Sequence, residues 1–204
     1  MNRIVLASGN LGKLAEMREI LVDTGIELVA QSELGIADAD ETAGTFVENA
    51  LIKARHAARL SGLPALGDDS GLCVDALDGA PGLLSARYAG RHGDSVANIV
   101  KLLGALESLR DAQRSAHFYC CIVLLRYAHD PAPLIAEGRW HGRILDAPRG
   151  DNGFGYDPVF FDPAHAASAA QLDSGLKNRI SHRGQALARL REKLADSRAT
   201  CWQA

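Results

Sequence analysis

The chain has no excess of basic residues: 22 Lys and Arg stand against 25 Asp and Glu, giving a formal net charge of −3 over 204 residues. A protein that tracks a nucleic-acid backbone needs a basic surface. A nucleic-acid polymer is therefore excluded as a partner, and any phosphate bound belongs to a small molecule. Long apolar runs are also missing. No stretch reaches the length of a membrane span, and the first run, Ile4 to Ala7, is too short for the core of a signal peptide. No membrane association is expected. Cysteine is sparse, with Cys73, Cys120, Cys121 and Cys201; the adjacent pair Cys120-Cys121 is poor material for a disulfide framework, so a reducing cytoplasm is expected. Internal repeats and low-complexity segments are absent, the alanine-rich piece Ala164 to Ala170 being the nearest to one. A Walker loop is absent as well. Its G-x-x-x-x-G-K-[ST] pattern around Gly12-Lys13 requires glycine and a hydroxyl residue where the chain has Ala7 and Leu14.

What is present is the composition of an ordinary globular protein, 47% hydrophobic and 23% charged, long enough for one sizeable core. The expectation is an α/β protein: a single two-lobed domain around a long mixed β-sheet flanked by helices. Ile4 to Ala7 reads as a buried strand, and Leu11, Leu14, Met17 and Leu21 have helical spacing. Glu27 to Ala30 reads as a second strand, followed by a polar loop, Ser32 to Gly44, that carries Asp38, Asp40 and Glu41. Thr45 with Glu48 is a capping box opening a helix from 46 to about 60. Pro64 to Gly67 and Leu72 to Leu77 read as two short strands parted by a glycine turn. Ala97 to Leu106 has helical spacing. Phe118 to Tyr127 and Pro133 to Leu145 read as long strands joined around His129-Asp130-Pro131, and the last helix runs from Gly184 to about Asp196. Early alternation of strands and helices with later strand pairs predicts a mixed sheet.

Several segments carry candidate chemistry, each beside a plainer reading. Ser8-Gly9-Asn10 joins a strand to a helix, where unpaired N–H groups and Lys13 favour an anion; alternatively Asn10 is a helix cap and Lys13 a surface residue. Asp68-Asp69-Ser70-Gly71 places two acids whose side chains point to opposite sides, or a solvated turn. Glu41 and Asp69 together suit magnesium, which takes few protein oxygens and completes its shell with phosphate; Glu41 also reads as a surface acid. Glu48 is explained by its cap. Lys53 lies further along the same helix, pointing along that side or to water. Gly150 to Pro158 sets three glycines around Phe154 and Tyr156, a platform for a flat ligand or a turn whose rings fill the core. Ser181-His182-Arg183-Gly184 puts two donors at a helix start, with Lys177 just before it. A Ser-His catalytic pair is discounted because sequence neighbours seldom reach each other's side chains.

The order of these blocks is more specific than any one of them. Ser8-Gly9-Asn10-x-x-Lys13, Phe46-Val47-Glu48-Asn49-Ala50-x-x-Lys53-Ala54, Asp68-Asp69-Ser70-Gly71-Leu72, Gly79-Ala80-Pro81-Gly82, Ser85-Ala86-Arg87-Tyr88, Gly153 to Pro158 and Ser181 to Gly184 resemble, over nearly the whole chain, the Ham1-like inosine/xanthosine triphosphate pyrophosphatase family in its bacterial dITP/XTP branch. Ser8 stands where that family commonly has threonine, and the hydroxyl is kept. The resemblance implies a homodimeric, cytoplasmic, magnesium-dependent hydrolase that cleaves a nucleoside triphosphate between its α and β phosphates. It implies Asp69 as general base and Glu41 with Asp69 as the Mg²⁺ ligands, Asp40 being the adjacent alternative. It implies Ser8, Gly9, Asn10, Leu11, Gly12, Lys13 and Lys53 at the triphosphate, with Ser70 beside phosphate or sugar. Phe154, Gly155, Tyr156, Asp157, Lys177, His182 and Arg183 are implied at the nucleotide and base. A pyrophosphatase for pyrimidine or methylated nucleotides, or a nucleotide sensor without turnover, are the alternatives to be separated by assay.

Overall fold

A computed structural model describes residues 3–198; Cys201 lies outside the described residues. The first apolar run forms strand β1 (Arg3–Leu6), and Leu14, Met17 and Leu21 bury one face of helix α1 (Leu11–Leu21). Strand β2 (Glu27–Ala30) lies parallel to β1, with Arg3 opposite Glu27 and Leu6 opposite Ala30. A 3-10 turn, Gln31–Leu34, opens the polar loop that leads to helix α2 (Phe46–Ser61). Thr45 caps α2 as its sequence predicts. Its Oγ1 accepts from the Glu48 N–H at 3.3 Å and donates to the Glu48 carboxylate at 2.6 Å.

The next segment departs from the sequence reading. In place of two short strands and a turn, one unbroken strand, β3 (Ala65–Val74), runs parallel to β1 at its start. Its glycines mark close backbone approach and not a turn. A Cβ on Gly67 would lie 2.1 Å from the Ala50 carbonyl oxygen, and one on Gly71 2.3 Å from that of Gly82. Asp68 and Asp69 thus sit within a regular strand, whose alternation sends them to opposite faces.

Helix α3 (Ser95–Ala105) is capped by Asp94, and strands β4 (Ser115–Leu125) and β5 (Leu134–Ile144) match the two long strands expected. Short strands β6 (Phe160–Asp162) and β7 (Ala167–Ser168) and helix α4 (Ser174–Ile180) were not read from the sequence. The last helix, α5 (His182–Arg198), starts at His182 and not at Gly184. Among the described residues seven strands form one sheet in the order β2-β1-β3-β4-β5-β6-β7, parallel at β1 and antiparallel from β5 to β7, so the sheet is mixed.

The chain falls into two compact units, and β3, β4 and β5 each pass from one to the other. Among the described residues, the first unit takes the chain up to Asp69, Cys120–Gly138, and the stretch from Arg183 to Arg198. Its core gathers Ile4 and Leu6 of β1, Leu66 of β3, Cys120, Ile122 and Leu124 of β4, and Ala186, Leu187 and Leu190 of α5. The second unit takes Ser70–Tyr119 and Arg139–His182. Leu72, Leu102, Phe118, Trp140, Tyr156 and Phe160 are among its core. Full burial of a Leu, Ile or Phe side chain among these contributes about 1.5–3 kcal/mol. Among the described residues no helix is long and apolar enough to cross a membrane.

Candidate functional site

In the first unit the turn after β1 is shaped by its own polar atoms. Asn10 Oδ1 accepts from the Lys13 N–H at 3.1 Å, and the Asn10 N–H donates to Ser8 Oγ at 3.2 Å. Asn10 is the cap of α1, while Lys13 is not a solvated surface lysine: its ammonium pairs with Asp68 Oδ1. Asp68 has no exposure at all. Its Oδ2 accepts from the Cys120 thiol at 3.0 Å and lies 3.5 Å from Arg183 Nε. Burial opposes ionisation of Asp68, but the charges of Lys13, Arg183 and Lys53 outweigh it and hold the carboxyl well below the usual carboxylate range. Arg183 is buried and also pairs with Glu16 of α1, and these carboxylates keep it charged against the effect of burial.

On the other face of β3, Lys53 of α2 holds two carboxylates. Its Nζ is 2.8 Å from Asp69 Oδ1 and 3.0 Å from Glu41 Oε1. Asn49, one turn earlier on α2, places Nδ2 3.4 Å from Asp69 Oδ2. Burial would lower the Lys53 pKa, and Asp69, Asp68 and Glu41 together raise it instead. The Asp69 carboxyl moves up from its ordinary value: burial, aided by Glu41, outweighs the pull of Lys53. Adjacent aspartates thus have opposite electrostatic character. One is a fixed anion, and the other is a carboxylate with more than usual affinity for a proton.

Glu41 and Asp69 supply oxygen donors only, and among the described residues no group of three or more His, Cys, Asp and Glu is gathered around a metal position. Asp40 is exposed. In this cluster three cations, Lys13, Lys53 and Arg183, face four carboxylates, Glu16, Glu41, Asp68 and Asp69. The hard oxygen donors of Glu41 and Asp69 fit a divalent cation of the magnesium type, bound by few protein ligands.

The second unit holds the glycine-rich loop, and its two rings part company. Tyr156 is buried and its hydroxyl donates to the Ser85 carbonyl at 3.0 Å, so it belongs to the core. Phe154 is 38% exposed. Asp157 shapes the loop by accepting at Oδ2 from the Phe154 N–H at 2.8 Å and from Lys177 Nζ at 2.7 Å. A Cβ at Gly153, whose φ is 76°, would meet that same oxygen at 2.1 Å. The Lys177 ammonium also lies 5.0 Å from the Phe154 ring centroid. Lys177 comes from α4, whose start is capped by Asp173: its Oδ1 accepts from the Leu176 N–H at 2.8 Å. His182 is buried, its ring stacked on Phe118 at 4.7 Å and 12°. Ser70 opens this unit, half-buried, one residue after Asp69.

Of the residues named from the sequence, Ser8 to Lys13, Glu41, Lys53, Asp69 and Arg183 lie in the first unit, and Ser70, Phe154 to Asp157, Lys177 and His182 lie in the second. Arg183, grouped by sequence with the base, has its ion pairs with Glu16 and Asp68. Glu16, Asn49 and Asp68 were not among the predicted site residues. Asn49 was legible only as part of the Phe46 to Ala54 block, and Glu16 carried no signal.

A sequence profile of the Ham1 family matches residues 4–193. The chain belongs to the Ham1 family. A "dITP/XTP pyrophosphatase" of Xanthomonas campestris pv. campestris is 61% identical over 194 residues, covering 95% of this chain and 98% of that protein. One of Vibrio cholerae is 52% identical over 201 residues, covering 98% of this chain and all of that one. Among solved structures, the HAM1 protein of Coxiella burnetii superposes with a TM-score of 0.88 at 55% identity, covering 96% of this chain and 100% of that one. The Staphylococcus aureus Ham1 protein does so at 0.84 and 39%, with the same coverage. Both Ham1 structures support a mixed sheet flanked by helices as the fold of this chain.

Proposed function

We propose that this Ham1 protein hydrolyses non-canonical purine nucleoside triphosphates, dITP, ITP, XTP and dXTP, to the monophosphate and pyrophosphate. The observation that carries the reading is the Asp69–Lys53–Glu41 cluster, in which a buried carboxyl with raised proton affinity is held beside a second carboxylate. Relatives named dITP/XTP pyrophosphatase at 61% and 52% identity support the same reading. Asp69 is the general base. It accepts the proton of the attacking water, as a carboxylate that Lys53 and Asn49 hold in place. Lys13 and Lys53 neutralise phosphate oxygens, and the N–H groups of the Ser8-Gly9-Asn10 turn, with Leu11 and Gly12 at the start of α1, hold phosphate. Asp68 keeps Lys13 in place through its ion pair.

Glu41 and Asp69 would hold Mg²⁺, which supplies charge neutralisation of the triphosphate and of departing pyrophosphate. In the second unit Phe154 offers its face to the base, with Gly155 and Ser70 close to the nucleotide, while Tyr156, Asp157 and Lys177 hold that loop in shape. His182 donates to a 6-keto oxygen, and Arg183 anchors the helix start beside it in sequence. Hypoxanthine and xanthine present that oxygen and an N1–H; adenine presents an amino group, which leaves a donor unmatched and is rejected. A homodimer working in the cytoplasm belongs to the same proposal, supported by family membership and by three cysteines, Cys73, Cys120 and Cys121, that are free thiols.

The test is a panel of nucleoside triphosphates with magnesium, read as monophosphate and pyrophosphate. Pyrophosphate release from dITP and XTP far ahead of ATP is expected. A preference for a pyrimidine or methylated nucleotide, or tight binding without product, overturns the reading.

A further inference from the structure

We infer that Asn49 is the positioning residue that ties the Glu41 loop to Asp69, an inference that rests on the roles of Glu41 and Asp69 given above. Asn49 is buried in the first turn of α2, and its amide spans two elements. Oδ1 accepts the Ala43 N–H at 3.0 Å, from the loop two residues past Glu41. Nδ2 donates to Asp69 Oδ2 at 3.4 Å, from the middle of β3. Partners of opposite polarity fix which amide atom is which. The backbone N–H needs an acceptor, and the carboxylate needs a donor.

This arrangement gives a single buried side chain control of both carboxylates. Lys53, on the same helix, links Glu41 and Asp69 by charge, and an ammonium imposes little direction. Asn49 supplies direction. It fixes the Asp69 oxygen not engaged by Lys53 and holds the backbone just beyond Glu41, so that the spacing of the two carboxylates is set by a rigid helix. Burial removes water as a substitute partner, so neither bond is replaced cheaply when the amide is lost.

Aspartate is the discriminating replacement. Asn49→Asp has the same shape and keeps an acceptor for the Ala43 N–H, yet it turns a carboxylate towards Asp69. Asn49→Ala removes both bonds. Hydrogen exchange at the Ala43 amide reads the loop tether without any need for activity: protection is expected in the wild type and in Asn49→Asp and is lost in Asn49→Ala. Steady-state kinetics with dITP and magnesium read the other bond. Removing a partner that orients a ligand typically costs 10- to 100-fold, so kcat is expected to fall by about that factor in both variants while KM changes by less than about 3-fold.

A wild-type kcat in Asn49→Asp overturns the inference, because it removes any need for donation to Asp69. Unchanged Ala43 exchange in Asn49→Ala overturns it too, because the loop is then held by something else. Wild-type protein that releases no pyrophosphate from any nucleotide overturns the proposed function instead, and the exchange measurement still decides whether Asn49 holds the loop.

Discussion

Asp68 and Asp69 are neighbours of identical chemistry, and the structure predicts different effects of the same substitution at each. Asp68 is fully buried against Lys13 and Arg183. Removing one partner of a buried ion pair costs about 3–5 kcal/mol. Asparagine keeps an oxygen for Lys13, so the loss in Asp68→Asn is placed at about 3 kcal/mol, and at roughly 2–4 °C per kcal/mol for a chain of this size Tm falls by about 6–12 °C. The folded pKa of Asp68 is depressed, so its contribution is complete above the unfolded value of about 4 and is lost as pH falls towards the folded one. The Tm gap to wild type should hold from neutral pH down to that value and shrink in stronger acid. Asp69 has the reverse sign. Its folded pKa is raised, so the ionised form is disfavoured by folding; the cost is full above the folded value and absent below the unfolded one. Asp69→Asn relieves that cost but also removes one of the two carboxylates on Lys53, and Glu41 still pairs with that ammonium, so Tm at neutral pH should fall less than in Asp68→Asn while turnover falls by about 10²- to 10⁴-fold with loss of the base. Calorimetry across pH together with pyrophosphate release measures both. An Asp68→Asn variant with wild-type Tm, or an Asp69→Asn variant that unfolds as early as Asp68→Asn, refutes this account of β3.

Lys53→Gln removes the ammonium that pairs with both Glu41 and Asp69, and kcat/KM for dITP is expected to fall by roughly 10²-fold, read by steady-state kinetics at saturating magnesium. Phe154→Ala should raise KM for dITP with little change in Tm, since that ring is partly exposed, whereas Tyr156→Phe should lower stability by about 1 kcal/mol through loss of its bond to Ser85 and leave KM nearly unchanged; denaturant titration and kinetics separate the two. His182→Ala should shrink the ratio of kcat/KM for dITP over dATP, and equal losses on both substrates would mean that His182 does not read the base.

Local signals were legible where local physics decides. Thr45 with Glu48 and the spacing of Ala50, Ala54 and Ala57 fixed α2, and Leu14, Met17 and Leu21 fixed α1. The glycines at 67 and 71 were read as punctuation because a glycine that allows a turn and one that admits another backbone look alike in sequence. The difference lies with Ala50 and Gly82, which only the fold brings close. Strands β6 and β7 are too short to show a period, and α4 offered its Asp173 cap with little apolar spacing behind it. In the site, the alternation of β3 was enough to separate Asp68 from Asp69, since it depends on neighbours alone. The partner of Arg183 was not legible, because Glu16 lies 167 positions away.

Commitment of the cations to carboxylates bears on how the proposed substrate is accommodated. Lys13 is already paired with Asp68, and Lys53 with Glu41 and Asp69. A triphosphate that arrived alone would compete with buried carboxylates for these two ammonium groups, and any carboxylate it displaced would be left in a buried setting without its counter-charge. That is costly for Asp68, which has no exposure to water, and less so for Glu41, whose side chain keeps 30% exposure. Lys13 must therefore share itself between Asp68 and phosphate, with Arg183 holding Asp68 during the exchange. Arginine suits that position better than lysine would: its guanidinium carries several donors in a fixed fork and meets Glu16 and Asp68 together. At Glu41 and Asp69 the relief must come from an incoming positive charge. A divalent ion arriving with the triphosphate would supply that charge, which makes it part of the proposed substrate's charge balance.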